Sequence, residues 1–202
     1  ENVETGLGDD KIIGNKLPNT LVSNAGDDII FAGEGQDIVV PGLGSDTIDF
    51  SEAVHSQDII VLERTNKDLS IDKVYGFVQG LPGDIVNITD FKLPSLTALP
   101  IIDVLDVPFG YIDNCLVRIF GNVLSDATNL DSYFKTGSIL ENLQLSNEMS
   151  AIIISAASQD TGENQKMQII ENISGSIEVC SEIQFIGNYL DIDNWSADNF
   201  LL

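Results

Sequence analysis

Residues 5–49 read TGLGDDKII, GNKLPNTLV, SNAGDDIIF, AGEGQDIVV and PGLGSDTID, which are five consecutive nine-residue units. No residue is inserted or lost between the units. A fixed short period of this kind predicts a repeat structure in which every unit forms the same supersecondary element. The prediction for this stretch is therefore a series of stacked loops and strands.

Three places within each unit carry the pattern. The fourth place holds glycine in four of the five units, the sixth a carboxylate or an amide, and the eighth an aliphatic residue: Gly8, Leu17, Gly26, Gly35 and Gly44; Asp10, Asn19, Asp28, Asp37 and Asp46; Ile12, Leu21, Ile30, Val39 and Ile48. Glycine permits positive φ and lets backbone carbonyls turn inward, while the sixth-place side chain supplies an oxygen on the same side. The last three residues suit a short strand whose eighth-place side chain points inward.

The pattern resembles the G-G-x-G-x-D-x-U-x nonapeptide of RTX (repeats-in-toxin) proteins, which is a calcium-binding repeat. The resemblance implies a right-handed parallel β-roll in which two units complete one turn. Loops of every second unit then stack on one side, and calcium sits between them. Its ligands are backbone carbonyls and the sixth-place side chains.

Carried onto this sequence, the resemblance implies two rows of ligands. Asp10, Asp28 and Asp46 line one side, and Asn19 and Asp37 line the other. The implied backbone ligands are the carbonyl oxygens of the first, second and fourth places: Thr5, Gly6, Gly8, Ser23, Asn24, Gly26, Ala32, Gly33, Gly35, Pro41, Gly42 and Gly44. The resemblance implies about two to four calcium ions.

The second unit departs from the pattern, because Asn15, Leu17, Pro18 and Asn19 replace most of its ligand geometry. A weak site or none is expected on that side. On the other side, Asp28 belongs to both stacked pairs, so its loss is predicted to weaken two ions. Loss of its neighbour Asp27 is predicted to matter little.

Electrostatics gives the ion a role in folding. Carboxylates about 5 Å apart repel by roughly 3 kcal/mol per pair at an effective dielectric near 20. Hard oxygen ligands in a flexible geometry favour calcium over magnesium or zinc. At an affinity of ~10⁻⁴ M and roughly millimolar calcium, each ion contributes about 1.4 kcal/mol. Calcium binding and folding of this segment are therefore predicted to be one event.

The composition limits which partners and which class of structure this chain can have. The chain has 32 acidic and 9 basic residues in 202, a formal charge of −23, which argues against nucleic acid or an anionic membrane surface as a partner. At 43% hydrophobic residues it can bury a sizeable core. No apolar run of about 18 residues and no amino-terminal signal pattern occurs, so no membrane span is predicted. The chain is expected to be a fragment of a larger protein.

After Asp49 the nine-residue period stops, and short apolar runs alternate with turn residues. The predicted strands are 58–62, 73–78, 84–88, 101–105, 115–120, 151–155, 167–171, 176–180 and 183–186, with a short helix possible at 138–145. The predicted fold is all-β: a parallel β-roll over residues 1–51 that continues into a β-sandwich-like region over residues 52–202.

Three further stretches resemble the same family. Residues 44–51 resemble the way RTX rolls finish, and residues 74–91 are similar to the strand-turn-strand that follows the roll in serralysin-type and adhesin carboxyl-terminal domains. Residues 183–202 resemble the family's chain end, which carries a type I secretion signal. An edge strand with a frayed end is the alternative for that last stretch. Residues 95–182 show no resemblance to this family.

Catalytic signals are weak. His55 lies among polar residues and is predicted to be a solvated loop residue. No H-E-x-x-H, G-x-S-x-G or Walker motif occurs, so the chain is predicted not to be an enzyme, although its parent protein can be one. Trp195 and the tyrosines are candidates for stacking on a sugar ring, with core packing as the alternative. Cys115 and Cys180 fit either one disulfide or two buried thiols.

Two functions follow as hypotheses. The first is a calcium-dependent folding and secretion module, the carboxyl-terminal RTX region of a larger bacterial protein that a type I system exports to the exterior or the cell surface. The second is an extracellular module that binds a glycan or a protein, as adhesins do. A further alternative is an accessory domain of a secreted protease or a polysaccharide-modifying epimerase.

Overall fold

The computed structural model describes residues 1–64, 70–80, 82–91, 93, 101–103, 110–113, 115–120, 143–156, 165–187 and 194–201. The described residues form seventeen strands and one short 3-10 helix, Ala197–Asn199. The strands are β1 (Asn2–Glu4), β2 (Lys11–Ile13), β3 (Thr20–Val22), β4 (Ile29–Phe31), β5 (Ile38–Val40), β6 (Thr47–Asp49), β7 (Ile59–Val61), β8 (Asp72–Tyr75), β9 (Ile85–Asn87), β10 (Ile101–Asp103), β11 (Gly110–Tyr111), β12 (Leu116–Phe120), β13 (Leu143–Gln144), β14 (Ser150–Ala156), β15 (Gln165–Ile173), β16 (Ser176–Ile186) and β17 (Phe200–Leu201).

Successive strands of the repeat region alternate between two sheets. The first sheet has the order β1-β3-β5-β7-β9-β17, and the second has the order β2-β4-β6-β8-β16-β15-β14-β12-β10. Within the repeats, all pairs are parallel and in register: Ile12 lies beside Ile30, Ile30 beside Ile48, and Leu21 beside Val39. Two nonapeptides therefore make one turn, and the predicted parallel β-roll is confirmed.

The core of the roll consists of the eighth-place side chains. Each three-residue strand turns its middle residue inward, and Ile12, Leu21, Ile30, Val39 and Ile48 are at most 2% exposed. A fully buried side chain of this size contributes about 1.5–3 kcal/mol. The stacked aliphatic residues therefore supply most of the apolar stabilisation of these short strands.

Both sheets continue across residue 51. β7 pairs with β5, β8 with β6, and β9 with β7, all in parallel. Ile60, Val74 and Val86 are fully buried and extend the two inward rows. Strand β17 then adds to β9 by placing Phe200 beside Val86. The roll thus keeps its stacking after the nine-residue period has disappeared from the sequence.

Antiparallel pairing begins beyond the roll. Strand β16 joins β8 in parallel, and β14, β15 and β16 form an antiparallel meander in the same sheet. The strands predicted at 176–180 and 183–186 are one strand, β16. The predicted helix at 138–145 is wrong at its end, because Leu143–Gln144 is strand β13 paired with β11; residues 138–142 lie outside the described residues.

One hydrophobic cluster extends from Ile12 in the roll to Trp195 and Phe200 near the chain end.

No helix in the described residues is long and apolar enough to cross a membrane.

Candidate metal centre

Two columns of polar side chains run along the roll, one at each set of loops. Column one contains Asp10, Asp28, Asp46 and Asp72, and column two contains Asn19, Asp37, Asp58 and Asp84. In column one, each backbone N–H donates to the carboxylate of the next member, at 2.7, 2.8 and 3.0 Å. Column two repeats the arrangement at 2.8, 2.8 and 2.9 Å. The side chains therefore tie successive turns together.

Sequence reasoning placed five of these eight residues and missed Asp58, Asp72 and Asp84. Spacing explains the omission: partners within the repeats are 18 residues apart, whereas later partners are 21 or 26 apart. A local signal was nevertheless present. An aspartate lies two residues before a buried aliphatic residue at Ile60, Val74 and Val86, just as Asp28 does before Ile30.

The predicted backbone ligands lie in the loops beside these columns. Residues 5–8, 23–26 and 41–44 connect strands on the column-one side, and residues 32–35 do so on the column-two side. Several of these carbonyls already accept one hydrogen bond. Asn24 Nδ2 donates to the Thr5 carbonyl at 2.6 Å, and Ser23 Oγ to the Pro41 carbonyl at 2.7 Å. Each carbonyl keeps a second lone pair that can bind a cation.

Close stacking of these loops requires glycine at the fourth place. Gly26 and Gly44 have φ of 139° and 125°. A Cβ on Gly26 would overlap the Gly8 carbonyl, and one on Gly44 would overlap the Gly26 carbonyl. Each fourth-place carbonyl therefore lies directly against the next loop, so the carbonyls of this column are concentrated in a narrow stack.

Burial makes negative charge on the carboxylates of the columns costly. Asp28, Asp37 and Asp46 are at most 1% exposed. The Oδ2 atoms of Asp28 and Asp37 are buried and accept no hydrogen bond. A buried carboxylate oxygen without a donor is costly, and a hard cation is the partner that satisfies it. Asp28 and Asp37 therefore fit calcium.

Asn19 fits a cation less well. Its side-chain oxygen accepts the backbone N–H of Asn15 at 2.9 Å, and its Nδ2 is buried without an acceptor. An amide nitrogen offers no lone pair to a metal. The Asn19–Asp37 pair that begins column two therefore has one carboxylate, whereas the Asp10–Asp28 pair that begins column one has two.

Within the described residues, no three side chains of His, Cys, Asp or Glu converge in a metal-holding cluster. Any cation in the columns must therefore take most of its ligands from backbone carbonyls. The ligands implied are those predicted from the repeats. Asp58, Asp72 and Asp84 extend the hydrogen-bonded columns, and no ion ligation is assigned to them.

Column two holds carboxyls that resist ionisation. Burial raises the pKa of Asp37 and of Asp84 to about 6, and the pKa of Asp58 to about 8. The negative charge of Glu52 acts in the same direction on all three. Hydrogen bonds from backbone N–H groups oppose the shift without cancelling it.

A second, outer column lies one place earlier in the repeats. The N–H of Asp27 donates to Asp9 Oδ1, and the N–H of Ser45 donates to Asp27 Oδ1, both at 2.9 Å. These exposed bonds run in the opposite sense to those of column one. Asp27 thus has a structural contact that the sequence did not reveal.

The prediction that Trp195 binds a ligand is wrong. Its side chain is 1% exposed, and it stacks on Phe77 and Phe200 with ring centroids 5.4 and 5.6 Å away. Its indole N–H donates to Gln165 at 2.6 Å. A fully buried ring cannot stack on a sugar, so core packing explains this residue.

The sequence also singled out the cysteines, the tyrosines and His55. Cys115 and Cys180 are buried free thiols, and burial raises the pKa of Cys180 to about 12. Tyr75 is 36% exposed on the roll, whereas Tyr133 and Tyr189 lie outside the described residues. His55 is an exposed loop residue, as predicted, and its Nδ1 lies 3.4 Å from Glu52 Oε1.

A parallel β-roll with glycine-rich loops and a stacked aspartate in each turn defines a class of repeat protein. The RTX calcium-binding nonapeptide repeat (4 copies) matches residues 17–48. This stretch of the chain therefore consists of RTX repeats, and calcium is the ion that such repeats bind. No curated protein sequence matches the chain.

Two solved structures are similar to the whole chain. Both are subunits of the Azotobacter vinelandii mannuronan C5-epimerase. The AlgE6R2 subunit has a TM-score of 0.52 at 16% identity, covering 100% of this chain and 92% of that one. The AlgE6R3 subunit has a TM-score of 0.50 at 13% identity, covering 96% and 78%. At these identities the likeness shows the shared β-roll fold.

Proposed function

We propose that the chain is a calcium-dependent folding module of a larger extracellular protein, with about two to four calcium ions between its stacked loops. The observation that carries the proposal is the pair of buried carboxylate oxygens, Asp28 Oδ2 and Asp37 Oδ2, that accept no hydrogen bond. They lie in RTX repeats, where the chemistry of the loops suits a hard cation.

Folding and calcium binding are coupled in this proposal. Without a cation, the buried carboxylates of the columns repel one another and keep the turns apart. At low cytosolic calcium the chain stays loose. Millimolar calcium outside the cell fills the sites and closes the roll, and the later strands then add to its two sheets.

A calcium titration followed by circular dichroism tests this coupling. Addition of calcium to chelated protein should raise β content cooperatively, and chelator should reverse the change. Asp28→Asn should weaken the response, and the exposed Asp90→Asn should serve as a matched control. A spectrum that chelator leaves unchanged at neutral pH would rule out the proposal.

We further propose export by a type I secretion system. The supporting observations are the RTX repeats and the resemblance of residues 183–202 to the secretion-signal end. In the folded chain, β17 is paired to β9, and Asn199 is buried with its Nδ2 donating to the Asp84 carbonyl at 3.2 Å. Folding would thus bury part of such a signal, so export would have to precede closure of the roll.

An export assay tests this second step. Cells that carry a type I exporter should release the chain into the medium, and cells that lack the exporter should retain it. Equal release from both kinds of cell would remove the proposal.

A specific surface favours glycan binding as the second candidate function. The outer face of β2, β4, β6 and β8 presents, in parallel register, Lys11, Ile13, Ile29, Phe31, Thr47, Asp49, Lys73 and Tyr75. Phe31 and Tyr75 are 38% and 36% exposed, and Lys11 Nζ lies 5.1 Å from the Phe31 ring centroid. Exposed rings beside lysines suit a sugar that carries carboxylates.

The similar structures belong to an enzyme whose name states that it acts on mannuronan, a polysaccharide. We propose that this face binds such a polymer, either for an adhesin-like module or for an accessory domain of a polysaccharide-modifying enzyme. Phe31→Ala and Lys73→Ala should each weaken binding to polymannuronate by roughly 3- to 10-fold. Ile38→Ala, on the opposite sheet, is the control. Equal binding by all variants would exclude this face.

A further inference from the structure

The loops on the column-one side stack in two steps within the repeats. Step one joins the loop of residues 5–8 to the loop of residues 23–26, and step two joins that second loop to the loop of residues 41–44. Asp28 belongs to both steps, and its buried Oδ2 accepts no hydrogen bond. The two steps can therefore be compared as two versions of one candidate site.

Most contacts between the loops are the same in both steps. In each step the fourth-place N–H donates to the third-place carbonyl of the next loop, and the first-place hydroxyl donates to the first-place carbonyl of the next loop. The distances are 2.6 Å for Gly8 to Ala25, 2.9 Å for Gly26 to Leu43, 3.1 Å for Thr5 to Ser23 and 2.7 Å for Ser23 to Pro41. These contacts therefore do not distinguish step one from step two.

The second place of the loop is where the two steps differ. The fourth and fifth units have Gly33 and Gly42 at this place, with φ of 102° and 87°, whereas the third unit has Asn24 with φ of 68°. Asparagine is one of the few residues other than glycine that adopt positive φ. The side chain of Asn24 reaches back across step one, where its Nδ2 donates to the Thr5 carbonyl at 2.6 Å. Gly42 has no side chain, so it sends no such donor across step two.

The Thr5 carbonyl is one of the predicted backbone ligands of calcium. A carbonyl oxygen has two lone pairs, and the amide of Asn24 occupies one of them. The positive end of the amide N–H also points at this oxygen, so it repels a cation that binds to the same oxygen. An ion in step one must therefore either bind beside this donor or break a short hydrogen bond.

We propose that Asn24 is an affinity-determining residue, which weakens calcium binding in step one by occupying the Thr5 carbonyl. Step two has glycine at the second place, so it holds its ion more tightly. This inference rests on the proposed calcium-dependent folding and adds an order to it. As calcium falls, the roll opens first at residues 5–8 while step two stays closed.

Chelator-triggered release of calcium from the loaded full chain tests the proposal. Stopped-flow mixing with a fluorescent chelator measures the rate at which each ion leaves folded protein. Asn24→Gly removes the amide and restores the residue found at Gly33 and Gly42, which suits the positive φ at this place. One release phase should slow by about 3- to 10-fold, and the others should not change. The proposal is overturned if no phase slows.

Asn15→Gly is the matched control, because Asn15 occupies the second place on the column-two side. Its Nδ2 donates to the Glu1 side chain at 3.0 Å and not to a loop carbonyl. This variant should slow no release phase. Equal slowing in Asn15→Gly and Asn24→Gly would show that the amide of Asn24 has no special role.

Asn24→Ala separates the amide from the backbone. Both substitutions at this place remove the amide, but glycine relieves the strain of positive φ and alanine increases it. The same release phase should slow in both variants, and slowing in Asn24→Gly alone would contradict the proposal. If the alanine variant does not fold, the comparison of Asn24→Gly with Asn15→Gly decides.

The release experiment also separates this inference from calcium-dependent folding. A wild-type chain that takes up and releases no calcium would remove the folding proposal. A wild-type chain that releases calcium at the same rates as Asn24→Gly would remove only the role of Asn24.

Discussion

The two sides of the roll differ in how their buried polar side chains are spaced. On the column-one side, three loops of repeat sequence stack at a constant spacing of 18 residues, from Asp10 to Asp28 to Asp46. On the column-two side, an amide opens the column, and a loop with Glu52 and His55 follows the one regular step. The strict repeat keeps one spacing along the column-one side, whereas the column-two side changes its loop length after one regular step.

The largest effect is expected from Asp28→Ala. Asp28 accepts the N–H of Asp10, its own N–H donates to Asp46, and its Oδ2 is a candidate ligand. Its loss should weaken calcium binding by at least tenfold for two ions and cost about 3 kcal/mol of stability. Calorimetric titration and thermal unfolding in calcium measure both.

Asp37→Ala tests the column-two side in the same way that Asp28→Ala tests the column-one side. Because Asn19 cannot pair with it as a second carboxylate, the effect on calcium binding should be smaller than for Asp28→Ala. Equal losses of calcium in the two variants would show that the two sides are equivalent.

Gly26→Ala should destabilise the chain by about 2–4 kcal/mol, because the backbone there has positive φ and the added methyl meets the Gly8 carbonyl. Gly6→Ala is the control: it lies in a loop of the same side, with nothing within 4 Å of the added methyl. Chemical denaturation in saturating calcium measures the difference. Similar losses in both variants would mean that close stacking of the loops is unimportant.

A change of pH should have a smaller effect on the stability of the folded chain. This effect arises from the carboxyl groups of column two. The raised pKa values mean that the folded chain binds protons more tightly than the unfolded chain, whose carboxyls titrate near 3.8. With calcium chelated, stability should be greatest below about pH 4 for these groups. It should fall as pH rises through about 6 for Asp37 and Asp84, and through about 8 for Asp58.

Circular dichroism in chelator across this pH range measures that trend, because β content should be greatest at low pH, and Asp58→Asn should flatten the upper part of the curve. Calcium should reverse the trend, because protons compete with the ion for Asp37. A chelated chain that becomes more stable between pH 6 and 8 would contradict the assignment.

The smallest effect is expected from Lys16→Ala. Its ion pair with Glu34, at 3.2 Å, joins two side chains that are 80% and 42% exposed. Such a surface pair contributes less than about 1 kcal/mol, so thermal unfolding should change little. A large loss would indicate that the exposed ends of the column-two loops matter as much as their buried parts.

The repeat stretch could be predicted from sequence because one residue type at each place has one physical task. An aliphatic residue at the eighth place fills the core, glycine at the fourth permits close stacking, and the aspartate two residues before Ile12 or Ile30 ties the turns. These tasks depend only on local sequence. The strands of the roll and the members of both columns within the repeats follow from them.

The rest depends on contacts between distant segments. Asp72 meets Asp46 across an insertion that hides the period. The sequence leaves Trp195 open between sugar stacking and core packing because nothing near it in sequence reveals Phe77, which covers it. Each error arose where the fold supplies the neighbour.

The 18-residue spacing also constrains how the gene can change in length. Loss or gain of two units would preserve the register of both sheets and add or remove one whole turn. Loss of a single unit would instead transfer every later loop to the opposite side, so Glu52 and His55 would face column one. Natural variation in copy number should therefore proceed in pairs of nonapeptides.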